Sequence, residues 1–272
     1  MPFTLVIYSQ SQAANGYTFF KPLVDQSQSP TGNGITTPVG YNKLFAGYVQ
    51  GASAVRGRIS SPSLRKWANF YVAPADNAAN PSANPPIQII DYETTLPITE
   101  GDELDFEIDN GNTSERDFGF AWLAAPPLQE ITAKIFTVEA TGSTTLTANA
   151  WSLVPLTFTT SLEAGLYQIV GLYAHFGGAI AARFVFTGAL AAVRPGVIAS
   201  STANKNMPLV FRYGLLGLWG VFHSASPPQI ECLGTTATAS QRFFIDLIKG
   251  PTGIGQVQAN PQSFGAVFSG AT

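Results

Sequence analysis

Short apolar or alternating runs, each bounded by glycine, proline, asparagine or serine, recur along the whole of this 272-residue chain. Runs with helical periodicity are scarce, whereas 26 glycines and 19 prolines provide frequent turns. A strand alternates apolar and polar residues with a period of two, and turn residues end it after a few positions. The pattern therefore predicts an antiparallel all-β protein.

The same pattern predicts eight strands in each half of the chain. Those of the first half lie near residues 3–8, 17–22, 41–50, 53–59, 68–73, 87–92, 104–109 and 117–124. Those of the second half lie near residues 131–139, 151–158, 165–175, 179–186, 208–213, 218–223, 229–234 and 241–248. One short helix is expected in each half, capped by Ser61 before Pro62 and by Thr187 before GALAAV.

An internal repeat with an offset of 125 residues links the halves. Residues 40–59 (GYNKLFAGYVQGASAVRGRI) align without gaps with residues 165–184 (GLYQIVGLYAHFGGAIAARF). The identical pairs are Gly40 and Gly165, Tyr48 and Tyr173, Ala54 and Ala179, and Arg58 and Arg183. The same offset pairs Phe118 with Phe243, Phe120 with Ile245, Trp122 with Leu247 and Pro126 with Pro251. The repeat predicts one β framework present twice.

The repeat also predicts the domain boundaries. Residues 1–126 form the first unit, residues 127–250 the second, and residues 251–272 an uncharged C-terminal arm. The seam at residues 125–129 (APPLQ) holds two prolines, which cannot donate ladder hydrogen bonds. Because this seam is short, we expect the two units to pack together. Turn formers predict loops over residues 9–16, 25–38 and 73–86.

Composition excludes several classes of function. Only 11% of the residues are charged and the formal net charge is −3, so the chain has no overall cationic field to neutralise phosphates. Nucleic-acid binding is therefore not expected. The first apolar run, about six residues without a basic start, is shorter than the roughly 7 to 15 residues of a secretory core. We interpret it as an ordinary strand.

One stretch requires a test for membrane spanning. Residues 176–193 (FGGAIAARFVFTGALAAV) carry a single charge, on Arg183. A central arginine costs about 2.5 kcal/mol or more in hydrocarbon. The aligned residues 51–68 of the first half hold four basic residues, which a spanning helix does not tolerate. Both stretches are therefore expected to be a strand followed by a short helix.

The strongest charge pattern lies in residues 100–117. Four carboxylates alternate with Leu104, Phe106 and Ile108 and so share one face of a predicted strand; they are Glu103, Asp105, Glu107 and Asp109. A calcium site is one interpretation, since calcium prefers clustered oxygen ligands. A glycosidase acid and nucleophile is another. The run lacks the spacing D-x-[DN]-x-[DN]-G, which favours a third interpretation, a solvated face neutralised by neighbouring Lys and Arg.

Residues with other chemistry are isolated in the sequence. His175 and His223 belong to no H-x-H or H-E-x-x-H cluster, and the single cysteine, Cys232, alternates with Ile230 as a buried apolar residue would. The clustered histidines of the cupins, which also duplicate β-barrels, are absent. The sequence contains no G-x-S-x-G, P-loop or G-x-G-x-x-G motif. We therefore expect neither an enzyme nor a cofactor.

Aromatic residues offer a second functional interpretation. Trp67, Phe70 and Tyr71, or Trp219 and Phe222, could form a carbohydrate-binding platform. Most such rings in a β-sandwich belong to the core, which is the interpretation favoured here.

The predicted chain has two tandem eight-strand units of about 120 residues, each with a short helix and long loops, and it has no catalytic clusters. In this it resembles the double jelly-roll major capsid proteins of icosahedral, often lipid-containing phages and viruses. The resemblance implies two tandem eight-stranded antiparallel jelly-roll sandwiches with a short helix in each. It further implies a homotrimer of pseudo-hexagonal outline that contacts neighbouring capsomers in the virion shell, after synthesis in the host cytoplasm. That family has no diagnostic motif, so no functional residue carries over.

Assembly contacts are expected at the chain ends. The candidates are Met1, Pro2, Phe3, Phe264, Val267 and Phe268. The acidic composition agrees with a coat that does not contact nucleic acid directly, and it leaves an internal membrane or minor capsid proteins as further partners. The alternative function is a tandem β-sandwich that binds carbohydrate or forms a spike or fibre.

Overall fold

The computed structural model describes residues 3–11, 16–23, 30–51, 54–62, 70–72, 74–75, 88–89, 96–110, 116–125, 131, 133–186, 193–201 and 209–250. These residues form strands and turns, and their one helical element is a 3-10 turn over Leu209–Phe211. The all-β prediction is confirmed. The predicted helices after Pro62 and after Thr187, and the predicted arm over residues 251–272, lie outside the described residues.

Thirteen strands are described in the first half. They are β1 (Phe3–Ser11), β2 (Tyr17–Phe19), β3 (Lys21–Pro22), β4 (Pro30–Thr31), β5 (Gly34–Thr36), β6 (Lys43–Gln50), β7 (Ala54–Ser60), β8 (Phe70–Val72), β9 (Pro74–Ala75), β10 (Gln88–Ile89), β11 (Leu96–Pro97), β12 (Glu103–Asn110) and β13 (Arg116–Ala124). Nine are described in the second half. They are β14 (Phe136–Gly142), β15 (Trp151–Pro155), β16 (Thr157–Phe158), β17 (Leu166–Phe176), β18 (Ala179–Val185), β19 (Gly196–Ile198), β20 (Gly220–His223), β21 (Gln229–Gly234) and β22 (Gln241–Lys249).

The strands form two sheets in each half. In the first half, sheet I has the order β10-β6-β13-β1-β3, with β9 and β11 also paired to β6. Sheet II has the order β4-β5-β12-β7-β8, and β2 pairs with β12. The described pairings of sheets I and II are antiparallel except for the short parallel contact of β6 with β9.

The second half repeats this order strand by strand. Sheet III runs β16-β14-β22-β17-β20, which matches β3-β1-β13-β6-β10 of sheet I. Sheet IV runs β15-β21-β18-β19, which matches β2-β12-β7-β8 of sheet II. The described strands therefore form one common sheet order twice along the chain, to which the first half adds β4, β5, β9 and β11.

Sheets I and II enclose the core of the first half. The buried residues facing it are Val6, Tyr8, Leu44, Val49, Ala121 and Leu123 from sheet I, and Ile35, Ile59, Leu104, Phe106 and Ile108 from sheet II. The sheets approach closely at Gly119, where a Cβ atom would lie 2.6 Å from the Phe106 ring. Only glycine fits at this contact.

Sheets III and IV enclose a second core in the same way. The residues facing it include Tyr167, Ile169, Leu172, Phe243, Ile245 and Leu247 from sheet III, and Val154, Ala182, Phe184, Ile230 and Cys232 from sheet IV. The alternation of these positions along each strand follows from the period of two.

Two matched pairs of β-bulges support the repeat. Phe45 bulges from β6 where β6 pairs with β13, and Val170 bulges from β17 where β17 pairs with β22. Val55 and Ile180 form a second matched pair of bulges in β7 and β18. Each pair of bulged residues is separated by the predicted offset of 125. Bulges fix strand register, so their agreement indicates equivalent strands.

The predicted alignment of β13 with β22 is wrong by one residue. Tyr48 lies opposite Phe120, and the equivalent Tyr173 lies opposite Phe244 rather than Ile245. The offset for this strand is therefore 124, and the predicted pairings of Phe118 with Phe243, Phe120 with Ile245 and Trp122 with Leu247 join residues on opposite faces. The pattern could not exclude the slip because β13 is apolar on both faces.

Several predicted elements also differ from the structure. The strand predicted over residues 208–213 is a 3-10 turn followed by Tyr213 and Gly214, whose positive φ angles of 54° and 76° reverse the chain. Strand β19 was not predicted, and β14 begins at Phe136, five residues later than expected. Strands β4, β5 and β9 lie in stretches predicted as loops.

Candidate functional site

The carboxylates of β12 occupy the outer face of sheet II, as the alternation predicts, while Leu104, Phe106 and Ile108 face the core. Glu107 and Asp109 each face an arginine of the neighbouring strand β7, in direct cross-strand register. Because opposite charges directly opposite each other stabilise a sheet, this arrangement is typical of a structural face.

Each contact of these carboxylates is with a different group. Arg58 binds Glu107 in bidentate fashion, with Nη2 3.0 Å from Oε1 and Nε on Oε2. Arg56 Nε lies 3.1 Å from Asp109 Oδ2. Glu103 Oε1 accepts a hydrogen bond from the backbone N–H of Asn33 at 3.1 Å.

Asp105 is buried at the same end of the strand as Glu103. Tyr8 Oη lies nearby and donates to the carbonyl of Leu104 at 2.5 Å. Burial, and then the charges of Asp105 and Glu103, raise the pKa of Tyr8. Within the described ranges, no group of three or more His, Cys, Asp and Glu side chains could hold a metal ion. Glu107 and Asp109 have the neighbouring arginines that the third interpretation expects, whereas Asp105 and Glu107 are buried rather than solvated.

Arg58 also stacks on an aromatic ring from the far side of β12. Its guanidinium carbon lies 4.2 Å from the centroid of Tyr17, on β2. Tyr17, Arg58 and Glu107 thus form an aromatic–arginine–glutamate triad across three strands of sheet II. The exposed guanidinium of Arg56 lies on the same ring, 5.0 Å from its centroid.

The second half holds the same triad at the equivalent positions. Arg183 lies opposite Glu231 in register, with Nε 2.7 Å from Oε2, and its guanidinium carbon lies 3.8 Å from the centroid of Trp151. Burial lowers the pKa of Arg183 to about 10, although Glu231 acts in the opposite direction. Because the triad is part of the repeated framework, we assign it to the architecture and not to a ligand site.

The histidines and the cysteine have local partners. His175 Nδ1 lies 3.1 Å from Ser200 Oγ, and the exposed His223 accepts a hydrogen bond from the N–H of Ala225 at 3.1 Å. Cys232 is fully buried, and burial followed by the charge of Glu231 raises the pKa of its thiol. These contacts are those of packed or hydrogen-bonded residues, as the sequence indicates.

The aromatic residues of the second proposed platform are buried. Trp219 packs edge-on against Phe3, with centroids 4.9 Å apart, and Phe222 stacks on Phe158 at 6.0 Å. Their prediction as core residues is confirmed. Trp67 lies outside the described residues, as do the side chains of the other two residues of the first platform.

The two halves meet at the outer face of sheet I, called the sheet I face below. It comprises the buried residues Phe3, Leu5, Ile7, Ala46, Tyr48, Phe118, Phe120 and Trp122. These residues belong to the same buried cluster as the core of the second half. Each strand pairing that the structure describes joins strands of one half, so side chains and loops provide the contact between the halves.

Specific contacts fix this interface. Trp122 packs against Phe211 at 5.4 Å between ring centroids, and its Nε1 donates to the carbonyl of Gly196 at 3.0 Å. The N–H of Leu5 donates to the carbonyl of Arg194 at 2.9 Å. The halves therefore pack together, as the short seam predicts.

The predicted assembly residues have different outcomes. Phe3 lies fully buried inside the chain, where Phe45 and Trp219 pack against its ring. Its side chain therefore serves the contact between the halves. The other five candidates, Met1, Pro2, Phe264, Val267 and Phe268, lie outside the described residues, and their roles stay predictions.

The outer face of sheet III, called the sheet III face below, is the equivalent surface of the second half. It comprises Thr137, Glu139, Thr141, Tyr173, His175, Arg242, Phe244 and Asp246. Tyr173 and Phe244 stack at 5.6 Å and are half-buried, whereas Thr137 and Arg242 are exposed. The described residues therefore cover this face only in part.

A buried ion pair stands on this face where the sheet I face has Trp122. Asp246 is fully buried and binds Arg212 through both oxygens, at 2.5 and 2.7 Å. Thr137 Oγ1 donates to the same carboxylate at 2.6 Å, and the N–H of Tyr213 donates at 2.9 Å. The sequence gives one signal for this cluster, a lone aspartate within the apolar run FFIDLI.

Residues 176–193, the stretch tested for membrane spanning, contain the expected strand. Phe176 ends β17, and β18 follows over Ala179–Val185; the predicted helix after it lies outside the described residues. None of the helical structure in the described part of the chain has the length and apolar character needed to cross a membrane.

Comparison with known proteins gives no match: no protein-family model, curated protein or solved structure matches this chain.

Proposed function

We propose that each half of the chain is a jelly-roll sandwich and that the protein is a double jelly-roll major capsid protein. A jelly roll is an eight-stranded sandwich built from two Greek keys. One of its sheets contains the first, eighth, third and sixth strands, and the other contains the second, seventh, fourth and fifth.

The strand order in the first half supports this proposal. We count β2 and β3 as one strand that passes from sheet II to sheet I, and we count β10 and β11, which both pair with β6, as one strand. The eight strands are then β1, β2–β3, β6, β7, β8, β10–β11, β12 and β13. Sheet I then contains the first, eighth, third and sixth, and sheet II contains the second, seventh, fourth and fifth. Strands β4, β5 and β9 are additions to this set.

The second half gives the same result without additions. Its strands in order are β14, β15–β16, β17, β18, β19, β20, β21 and β22. Sheet III contains β14, β22, β17 and β20, and sheet IV contains β15, β21, β18 and β19. The observation that carries the proposal is this double occurrence of one strand order, with a buried contact between the two copies.

In this function the activity is self-association. The chain forms a homotrimer of pseudo-hexagonal outline, and trimers contact neighbouring capsomers in an icosahedral virion shell. Tiling requires rigid sandwiches with extensive lateral contacts. The low charge and the formal net charge of −3 suit surfaces that become buried away from nucleic acid. An internal membrane and minor capsid proteins are compatible partners.

The test is the mass and shape of the purified protein. Size-exclusion chromatography with light scattering should give three times the chain mass of 28.8 kDa, or larger shells. Negative-stain electron microscopy of the same fractions should give particles of hexagonal outline. A protein that stays monomeric at high concentration and binds a glycan array would contradict the proposal and identify the carbohydrate-binding alternative.

A further inference from the structure

A lysine and an asparagine side chain meet where the edges of sheets I and II come together in the first half. Lys21 lies on β3, at the edge of sheet I, and Asn33 lies in the turn between β4 and β5, at the edge of sheet II. Lys21 Nζ lies 2.9 Å from Asn33 Oδ1. Because a carbonyl bond is about 1.23 Å long, Nζ is no more than about 4.1 Å from Cγ of the Asn33 amide. An amine therefore lies beside an amide carbon.

The turn that carries Asn33 is held against strand β12. The backbone N–H of Asn33 donates to Glu103 Oε1 at 3.1 Å. Gly32 has a φ angle of 58°, and a Cβ atom there would lie 2.3 Å from the same oxygen. A Cβ atom at Gly34 would lie 2.1 Å from the carbonyl oxygen of Leu104. This close packing fixes the backbone of the turn, so the Asn33 side chain is presented from a defined position.

The surroundings of Lys21 leave its amine available for reaction. Lys21 is exposed and Asn33 is half-buried, so water reaches the contact and can accept a proton from Nζ. Among the residues that the structure describes, the ion pairs are formed by other cations, and Lys21 faces an amide rather than a carboxylate. An amine is a nucleophile only in its neutral form, which a carboxylate partner would disfavour.

We propose that Lys21 and Asn33 form an intramolecular isopeptide bond without an enzyme or a cofactor. Neutral Nζ of Lys21 adds to Cγ of Asn33, the bond between Cγ and Nδ2 breaks, and Nδ2 leaves as ammonia with a proton from Nζ. The product is a secondary amide, and the step transfers no electrons. Because the two groups are already in contact, the reaction is intramolecular, and well-oriented reactions of this kind reach effective molarities of about 10⁵ M or more.

The bond joins sheet I to sheet II at one edge of the first sandwich. A covalent link between two distant positions lowers the entropy of the unfolded chain and so stabilises the folded one. The chain has a single cysteine, which cannot form a disulfide within it, so an isopeptide bond supplies a covalent link that its thiol chemistry does not. The inference goes beyond the proposed function and does not depend on it.

The Asn33 amide has a competing nucleophile in the backbone nitrogen of Gly34. Its attack on Cγ gives a cyclic imide and also releases ammonia, and water then opens the ring. Ring closure requires rotation of the backbone between Asn33 and Gly34, which the contacts of the turn with Glu103 and Leu104 oppose. The geometry therefore favours Lys21, and the experiment separates the two reactions.

Intact-mass spectrometry of the folded, full-length protein tests the bond. We expect a species lighter than the sequence mass by one ammonia molecule, in a fraction that grows with time and with pH in mildly alkaline buffer. Chymotrypsin, which cleaves after Phe20 and Leu23, should then release residues 21–23 joined through Lys21 to the peptide that contains Asn33. Protein kept in urea, where the two side chains are apart, should not give this branched peptide.

Matched substitutions identify the reacting groups. Lys21→Arg keeps the positive charge but removes the amine, and Asn33→Ser removes the amide and keeps a residue common in turns. Both variants should retain the full sequence mass. Lys249→Arg is the control, because Lys249 is an exposed lysine that pairs with a carboxylate, that of Glu163, and this variant should lose ammonia as the unsubstituted protein does.

Two results would overturn the proposal. One is an unsubstituted protein that keeps its full sequence mass after prolonged incubation in alkaline buffer. The other is loss of ammonia that persists in Lys21→Arg without a branched peptide, which would assign the reaction to the imide formed with Gly34. Because the oligomeric state is measured separately, either result leaves the proposed function standing.

Discussion

At the scale of single residues, the two arginine triads provide a comparison within one molecule. Arg183 is fully buried, whereas the side chain of Arg58 is 27% exposed. Removal of the negative charge beside a buried guanidinium is far more costly than the same removal near the surface. The equivalent substitutions in the two halves should therefore have unequal effects.

We predict that Glu231→Gln lowers the free energy of unfolding by about 3 kcal/mol and Glu107→Gln by about 1 kcal/mol. Urea unfolding followed by circular dichroism measures both. Glu163→Gln is the control, because Glu163 pairs with Lys249 at an exposed site and its loss should not move the midpoint. Equal effects in the two halves would contradict the assigned difference in burial.

The thiol of Cys232 provides a second prediction. Burial raises its pKa, so little thiolate forms at pH 8, and the fully buried sulfur is inaccessible to reagent. The native protein should react with a disulfide reagent such as DTNB only as fast as it unfolds, and one thiol per chain should react promptly in denaturant. Prompt reaction of the native protein would contradict the position of Cys232 in the core.

The sequence predicted part of the arrangement of the two arginine triads. The alignment of Arg58 with Arg183 placed both arginines on equivalent strands, and the alternation of Glu107 with apolar neighbours placed Glu107 on the correct face. The partner of Arg183 could not be predicted, because Glu231 lies on a strand 48 positions away and no local pattern joins them. Of the four carboxylates on β12, only Glu107 has a glutamate at the equivalent position of the second half.

At the scale of elements, the contact between sheets I and II is tightest at Gly119. A methyl group there would meet the Phe106 ring at 2.6 Å, and two packed sheets cannot separate locally without loss of contacts elsewhere. We predict that Gly119→Ala lowers the free energy of unfolding by about 2 kcal/mol. The double variant with Phe106→Leu should recover part of this loss, which a double-mutant cycle measures.

Gly177→Ala is the matched control for this prediction. Gly177 lies in the turn between β17 and β18, and a Cβ atom there would be 3.5 Å from Thr238 Oγ1, an ordinary contact. Its stability should be close to that of the unsubstituted protein. Additive effects of Gly119→Ala and Phe106→Leu would contradict the facing arrangement of the two sheets.

Most strands were predictable because turn residues bound their apolar runs, and in β15 and β21 burial also alternates along part of the strand. The strand over Gln229–Gly234 matches its prediction at both ends. The failures share a cause: Leu209–Phe211 is apolar because the other half covers it, and Gly196–Ile198 is too short to show a period. Tertiary contacts determine the secondary structure of such segments, and the local sequence pattern carries no information about those contacts.

At the scale of the whole molecule, the two halves share one buried cluster although their strands pair separately. The sequence predicted two copies packed together from the repeat and the short seam. It could not predict which faces meet, because sheet I is apolar on both faces and a one-dimensional pattern does not distinguish a core face from a contact face. The core face and the contact face of sheet I can be told apart only from the positions of the other sheets in the structure.

The shared cluster predicts that the chain unfolds as one cooperative unit. Separation of the halves would expose the sheet I face, including Phe3, Phe120 and Trp122, so neither half is expected to persist without the other. Tryptophan fluorescence and far-ultraviolet circular dichroism should therefore give coincident urea transitions. Trp122→Asp places at this contact the residue type that the second half has at position 246, but without an arginine partner.

We expect Trp122→Asp to destabilise the chain by about 4 kcal/mol or more and to separate the two transitions, because the carboxylate would be buried at the contact between the halves. Trp151→Phe is the comparison, since Trp151 donates a single hydrogen bond to Leu23 and lies near the edge of the same cluster. It should shift the midpoint modestly and leave the two probes coincident. If the unsubstituted protein itself gives two separate transitions, the halves are energetically independent, and the face that Trp122 occupies does not couple them.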